Sequence, residues 1–222
     1  MSEQGHDGFT VWTVLRRDPL TAQVSAGTES LADAIAAVES GDVVVRGLYD
    51  VSVMRADADL MLWLHGPSAE GLQAAVRRLR RSSELAPLAL TWSAMGVHRD
   101  AEFNKAHVPG FLRGVEPRGW LCVYPFVRSY DWYVLPDDER KAMLAEHGRK
   151  GAAFRSVIAN TVAAFALNDY EWLLPLESDQ LTDLVDLMRD LRATQARLHV
   201  REEIPFFTGR RIGADEVAEV LA

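Results

Sequence analysis

One cysteine, Cys122, stands among 222 residues. No disulfide can close within the chain and no thiolate cluster can be assembled, so a reducing compartment is the natural setting. Positive charge is in deficit. The 24 lysines and arginines face 32 acidic residues, a net charge of −8 with histidine neutral. That balance argues against a general nucleic-acid partner, which needs a basic surface to neutralise phosphates. The basic cluster Arg77-Arg78-Leu79-Arg80-Arg81 lies in a helical pattern and reads as a solvated face. Long apolar runs are also missing, so no segment approaches a membrane span, and the first residues show no basic-then-apolar leader. A cytoplasmic protein is expected. Several catalytic templates are absent: there is no Walker phosphate loop, no G-x-G-x-x-G after a strand, no H-E-x-x-H and no G-x-S-x-G. The six histidines lack zinc-site spacing.

What is present is ordinary globular composition, 48% hydrophobic and 25% charged, on a chain long enough to bury a sizeable core. Period-two stretches at 9–16, 43–55, 59–65 and 88–98 predict strands. Residues 28–40 predict a helix, with Leu31, Ile35 and Val38 on one stripe and Gly41 past its end; 68–81 predict a second. The order β-α-β-β-α-β is the ferredoxin-like unit. The second half repeats it: a strand at 119–128, a helix at 136–147 continuing at 152–164, strands at 165–167 and 170–176, a long helix at 178–199, and a closing strand at 204–208. The expected class is α+β, two duplicated ferredoxin-like units of the dimeric α+β barrel type, antiparallel sheets with helices on one face. The expected division is an N-terminal unit at 1–105, a linker with a distal-side loop at 106–118, and a ligand-binding C-terminal unit at 119–222.

Alternation places Cys122, Tyr124, Phe126 and Arg128 on one strand face, and Pro125, with no N–H to give, suits an edge or bulge. The plain reading is an inward aromatic row with Arg128 at its rim. The density of Tyr124, Tyr130, Trp132 and Tyr133 also suits a flat apolar ligand or electron movement near an oxidant. His147, beside Gly148 at a helix end with Met143 and Leu144 before it, is open to two readings. It either partners the helix dipole or serves as the single imidazole ligand of a haem-type iron, the porphyrin supplying the equatorial nitrogens. Ligation needs neutral imidazole and an acceptor for the other ring N–H, which the sequence does not identify. His107, in a loop before Pro109-Gly110, has the ordinary pKa of a general base. His6, His65, His98 and His199 read as structural or solvent-facing. Asp137-Asp138-Glu139 and Arg201-Glu202-Glu203 read as dipole partners and solvated charge.

Tyr124-Pro125-Phe126, Trp132-Tyr133 and Glu146-His147-Gly148, with His107, Trp172 and the segment 189–210, resemble the motif set of coproheme decarboxylases in their actinobacterial form. These form the peroxide-using branch of the chlorite-dismutase-like haem proteins. The resemblance implies that His147 is the proximal iron ligand and His107 the distal base for hydrogen peroxide. It implies that Tyr124 forms the radical that attacks a propionate of iron coproporphyrin III, two rounds giving haem b, so that substrate and product act as the redox cofactor. Arg128, Trp172 and, within 189–210, Arg189 are implied to lie at propionates. A homo-oligomer, pentameric in the family, is implied, with ferrochelatase as a candidate partner. One departure bears on the choice among relatives. Chlorite dismutases carry a distal arginine on the helix after the proximal histidine, and this chain has Ala159, with Asn160 beside it. The competing readings are a haem peroxidase or chlorite-dismutase relative, and a haem carrier or sensor without catalysis.

Overall fold

The structure is a computed structural model that describes residues 8–18, 27–99 and 108–222. The chain divides into two compact units: unit 1 is Met1–Val97 with Gly209–Ala222, and unit 2 is His98–Thr208.

Unit 1 contains β1 (Phe9–Arg17), α1 (Leu31–Glu39), β2 (Val44–Asp50), β3 (Leu60–Gly66), α2 (Ala69–Leu79) and β4 (Leu88–Val97). The strands pair antiparallel in the order β4-β1-β3-β2. Each helix starts at a serine whose hydroxyl accepts a first-turn N–H, Ser30 from Asp33 at 3.1 Å and Ser68 from Gly71 at 3.2 Å. Leu31, Ala34 and Val38 of α1 and Leu72, Ala75 and Leu79 of α2 pack with Leu60, Leu62 and Leu64 in one core. The strand expected over 43–55 stops at Asp50, whose carboxylate accepts from the Ser52 N–H at 3.0 Å and hydroxyl at 2.6 Å and so turns the chain.

Unit 2 opens on a 3-10 turn, Gly110–Arg113, and runs through β5 (Trp120–Arg128), a second 3-10 turn Trp132–Val134, α3 (Asp137–Gly151), β6 (Ile158–Ala159), β7 (Val162–Ala163), β8 (Trp172–Ser178), α4 (Leu181–Leu191), a 3-10 segment Gln195–His199 and β9 (Val200–Glu202). β5 and β8 pair antiparallel from Trp120 opposite Ser178 to Phe126 opposite Trp172. β8 also pairs with β6 and β7, and β9 meets β5 at Val127 and Arg128. The class is α+β with antiparallel sheets.

Three sequence expectations change. The helix predicted to end at His147 runs to Gly151, with Arg149 and Lys150 in its last turn, and Lys150 Nζ reaches the Asp190 carboxylate at 3.1 Å. His147 therefore lies inside the helix rather than at its end. The helix expected at 152–164 and the strand at 165–167 are replaced by turns and the short β6 and β7. Asn160 accounts for part of this: its N–H donates to Pro175 O, its side-chain amide donates to Glu177 at 2.9 Å, and its Oδ1 accepts from Phe111 N at 3.0 Å. The long helix expected at 178–199 breaks after Leu191. There Thr194 Oγ1 donates to Leu191 O at 2.9 Å, and Gln195 N donates to Glu146 Oε2 at 2.9 Å.

A closing strand, β10 (Phe207–Ile212), pairs Arg210, Arg211 and Ile212 with Asp50, Tyr49 and Leu48, and Ile212 and Val217 join the unit 1 core. A Cβ at Gly209 would stand 2.6 Å from Asp50 O, so the approach needs glycine. Gly209–Ala222 thus belongs with unit 1, whereas the sequence reading kept 119–222 together. Among the described residues no helix is long and apolar enough to cross a membrane.

Candidate active site

A cleft lies within unit 2, walled by aromatic, apolar and charged side chains. Tyr124, Phe126 and Arg128 of β5 line one wall together, as strand alternation predicts, with Trp172 and Leu174 of β8 beside them. Leu144 and His147 of α3 and Met188 and Leu191 of α4 form the helical side. The break after α4 brings in Arg192, Thr194 and Arg197, and Glu203 follows from beyond β9.

His147 Nδ1 lies 3.5 Å from Thr194 Oγ1, a long hydrogen bond. The Thr194 proton is already given to Leu191 O, so its oxygen faces His147 as an acceptor. That network assigns the hydrogen to Nδ1 and leaves the Nε2 lone pair for a ligand. Burial, and then the nearby Arg128 charge, hold the imidazole pKa below its ordinary value, against the opposing pull of Glu146. His147 is therefore neutral near pH 7, the form that binds a metal. The acceptor missing from the sequence reading is Thr194. Thr194→Val keeps the side chain's size and removes both the acceptor and the bond to Leu191 O. It is expected to lower the iron–histidine stretching frequency of a bound ferrous porphyrin and to weaken its binding by about 10–100-fold. An unchanged frequency would rule out this role.

Tyr124 is buried, its ring stacked on Phe206 at 4.4 Å, and its hydroxyl donates to Met188 Sδ at 3.4 Å. Burial first, with Glu203 and Cys122 adding, raises the phenol pKa above its ordinary value, against Arg192 and Arg197. The group keeps its hydrogen and donates it to a thioether rather than to a base. Cys122, in the same apolar cluster, is pushed up to about 11 by burial, so it is no thiolate nucleophile at neutral pH.

Arg128 is 7% exposed, its guanidinium over the rings of Phe126 at 4.8 Å and Trp132 at 4.1 Å. Glu203 does not lie in solvated charge as expected. Its side chain is 13% exposed and joins Arg192 at 2.5 Å and Arg197 at 3.1 Å. Arg128, Arg192 and Arg197 thus line the cleft with Glu203, and three guanidinium groups suit an anionic ligand. Arg189 is not brought into the cleft: its side chain is 80% exposed and pairs with Asp186 at 3.8 Å on its own helix. Trp172 lies on the wall, its indole N–H donating to Tyr133 Oη at 3.3 Å. His107 lies outside the described residues. Ala159 sits on β6 rather than on a helix, and the neighbouring Asn160 is taken up by its backbone and Glu177 bonds. Among the described residues no three His, Cys, Asp or Glu side chains converge as a metal site. A metal held at His147 would need most of its ligands from a non-protein group, as in a porphyrin.

Residues 23–212 match the chlorite dismutase family, and the chain belongs to that family. It is 56% identical over 184 residues, 82% of this chain and 80% of the relative, to a protein of Mycolicibacterium smegmatis named coproheme decarboxylase. Among solved structures, a variant of chlorite dismutase from Candidatus Nitrospira defluvii aligns with a TM-score of 0.77 at 21% identity, covering 96% of this chain and 94% of that one. The same organism's enzyme in complex with imidazole aligns with a TM-score of 0.77 at 20% identity, over 96% and 94%. At such identity these structures speak for the fold.

Proposed function

We propose that this protein binds iron coproporphyrin III in the unit 2 cleft and oxidatively decarboxylates two of its propionates, giving haem b. The observation that carries the reading is the pairing, in one cleft, of a neutral imidazole with a free Nε2 and a buried phenol, beside three arginines. The 56% identity to the Mycolicibacterium smegmatis coproheme decarboxylase supports the same assignment.

The iron porphyrin, when bound, supplies the oxidising chemistry, with hydrogen peroxide as the oxidant. His147 would hold the iron through Nε2. His107 takes a proton from peroxide and returns it to the departing oxygen. Arg128, Arg192 and Arg197 pair with propionates, and burial of Arg128 makes that pairing strong. Trp172 and, by the resemblance, Arg189 also belong to the propionate contacts, although the exposed Arg189 would have to swing in. Tyr124, after giving an electron to the bound oxidant and its phenolic proton to a propionate carboxylate, would take a hydrogen atom from the β-carbon of a propionate. The balance for each propionate is loss of carbon dioxide, one proton and two electrons; one peroxide takes up the two electrons and that proton, with one more proton from water, and becomes two waters.

A duplicated ferredoxin-like origin for the two units is part of this reading, supported by the β4-β1-β3-β2 order of unit 1 and the β9-β5-β8 pairing of unit 2. So are a cytoplasmic setting, assembly into a homo-oligomer of the pentameric kind, and receipt of the substrate from a ferrochelatase. Chlorite chemistry is disfavoured by Ala159, which offers no cation to an oxyanion. The discriminating experiment loads the protein in parallel with iron coproporphyrin III and with haem b. Peroxide should release carbon dioxide from the first, and chlorite should release no dioxygen from the second. Rapid dioxygen evolution without carbon dioxide would reverse the assignment.

A further inference from the structure

We propose that Trp172, Tyr133 and Glu171 form an electron-exit relay that carries surplus oxidising power from the cleft to the protein surface. The relay rests on the peroxide-driven reading above. Trp172 is the wall residue at its inner end, 6% exposed. Its indole Nε1 donates to Tyr133 Oη at 3.3 Å, and Tyr133 in turn donates to Glu171 Oε2 at 2.9 Å. The ring of Phe165 stands edge-on to both aromatics, 5.5 Å from Trp172 and 6.2 Å from Tyr133, which fixes their mutual placement. Tyr133 is 41% exposed, so the outer end meets solvent.

The two tyrosines of this region differ in one respect that decides their chemistry. A phenol loses an electron far more readily when its proton has a base to go to, because the alternative is a strongly acidic phenol cation. Tyr124 donates to the Met188 thioether, which is no base at neutral pH. Tyr133 donates to a carboxylate, and that carboxylate oxygen is itself fixed by the Arg128 backbone N–H at 2.8 Å. Tyr133 is thus the easier hole acceptor, although it lies away from the cleft lining. Tyr124 has no such base among its hydrogen-bond partners and needs a propionate carboxylate to receive its proton before it can be oxidised.

The electrons and protons balance as follows. Trp172 gives one electron to the oxidised porphyrin and is refilled by one electron from Tyr133. The Tyr133 phenolic proton moves to Glu171, leaving a neutral tyrosyl radical and a carboxylic acid. A soluble reductant of the thiol or ascorbate class returns one electron to the exposed ring while Glu171 returns the proton.

The test mixes protein loaded with iron coproporphyrin III with excess hydrogen peroxide and a nitroso spin trap, then maps adducts by peptide mass spectrometry. Wild type should carry an adduct on Tyr133. Tyr133→Phe should lose it and bleach its porphyrin severalfold faster. Glu171→Gln keeps a hydrogen-bond acceptor but removes the base, and should lower the Tyr133 adduct severalfold. Adducts elsewhere with Tyr133 unlabelled, or an undiminished Tyr133 adduct in Glu171→Gln, would overturn the relay while leaving the decarboxylase reading intact. A porphyrin spectrum that does not respond to peroxide in any variant would overturn the decarboxylase reading, and the relay with it.

Discussion

Tyr124→Phe is expected to bind iron coproporphyrin III, to react with peroxide, and to release no detectable carbon dioxide. The ring stack on Phe206 survives in phenylalanine, and the one hydrogen bond lost is to a thioether, so folding should be little affected. What disappears is the phenolic hydrogen. Without it the oxidising equivalents cannot be turned into hydrogen abstraction at a propionate, and they should be spent on the porphyrin, which bleaches. Peroxide titration followed by absorption and by carbon dioxide release checks this directly. Haem b formation at the wild-type rate in Tyr124→Phe would remove Tyr124 from the mechanism.

His147→Ala should have the second large effect, and on binding rather than on chemistry. Removing the imidazole takes away the ligand proposed for the iron. Affinity for iron coproporphyrin III should therefore fall by more than the roughly 10–100-fold expected for losing Thr194, the ligand's partner. Metal-free coproporphyrin does not use the imidazole, so its affinity should change far less, and the difference between the two isolates ligation from packing. The pH dependence has a definite sign. Protonated His147 cannot bind iron, and burial holds its pKa below the ordinary histidine value of about 6.5, so affinity should persist as pH falls through 6.5 and be lost only below it. Equal losses for the iron and metal-free porphyrins would contradict ligation by His147.

The parts of the site legible in the sequence were those set by local periodicity. Alternation along 120–128 put Tyr124, Phe126 and Arg128 on one face, and the structure lines one wall with these three. The motif around His147 is legible only through the family resemblance, and α3 carries it one turn deeper than expected. What could not be read were the features made by side chains interrupting a periodic pattern. The stripe of Leu181, Leu184, Val185 and Met188 continues plausibly to His199, and a threonine within it gives no strong stop signal. Yet Thr194 caps Leu191, breaks the helix and swings Arg192 and Arg197 inward, while Arg189, still on the regular helix, points to solvent. Asn160 acts similarly, converting an expected helix into two short strands by bonding Phe111 and Glu177 at once. The Asn160 partners are distant in sequence, whereas the Thr194 bond to Leu191 is local and only its place beside His147 needs the fold. Glu203 reads as surface charge in the sequence because a Glu-Glu pair beside arginine gives no sign of the Arg192 and Arg197 side chains that enclose it.

The most direct measurement of the central claim is the mass of the bound porphyrin during peroxide titration of protein loaded with iron coproporphyrin III. Two stepwise losses are expected, each equal to carbon dioxide plus two hydrogens, ending at haem b and consuming one peroxide per step. A porphyrin that keeps all four propionates while peroxide is consumed would contradict the account.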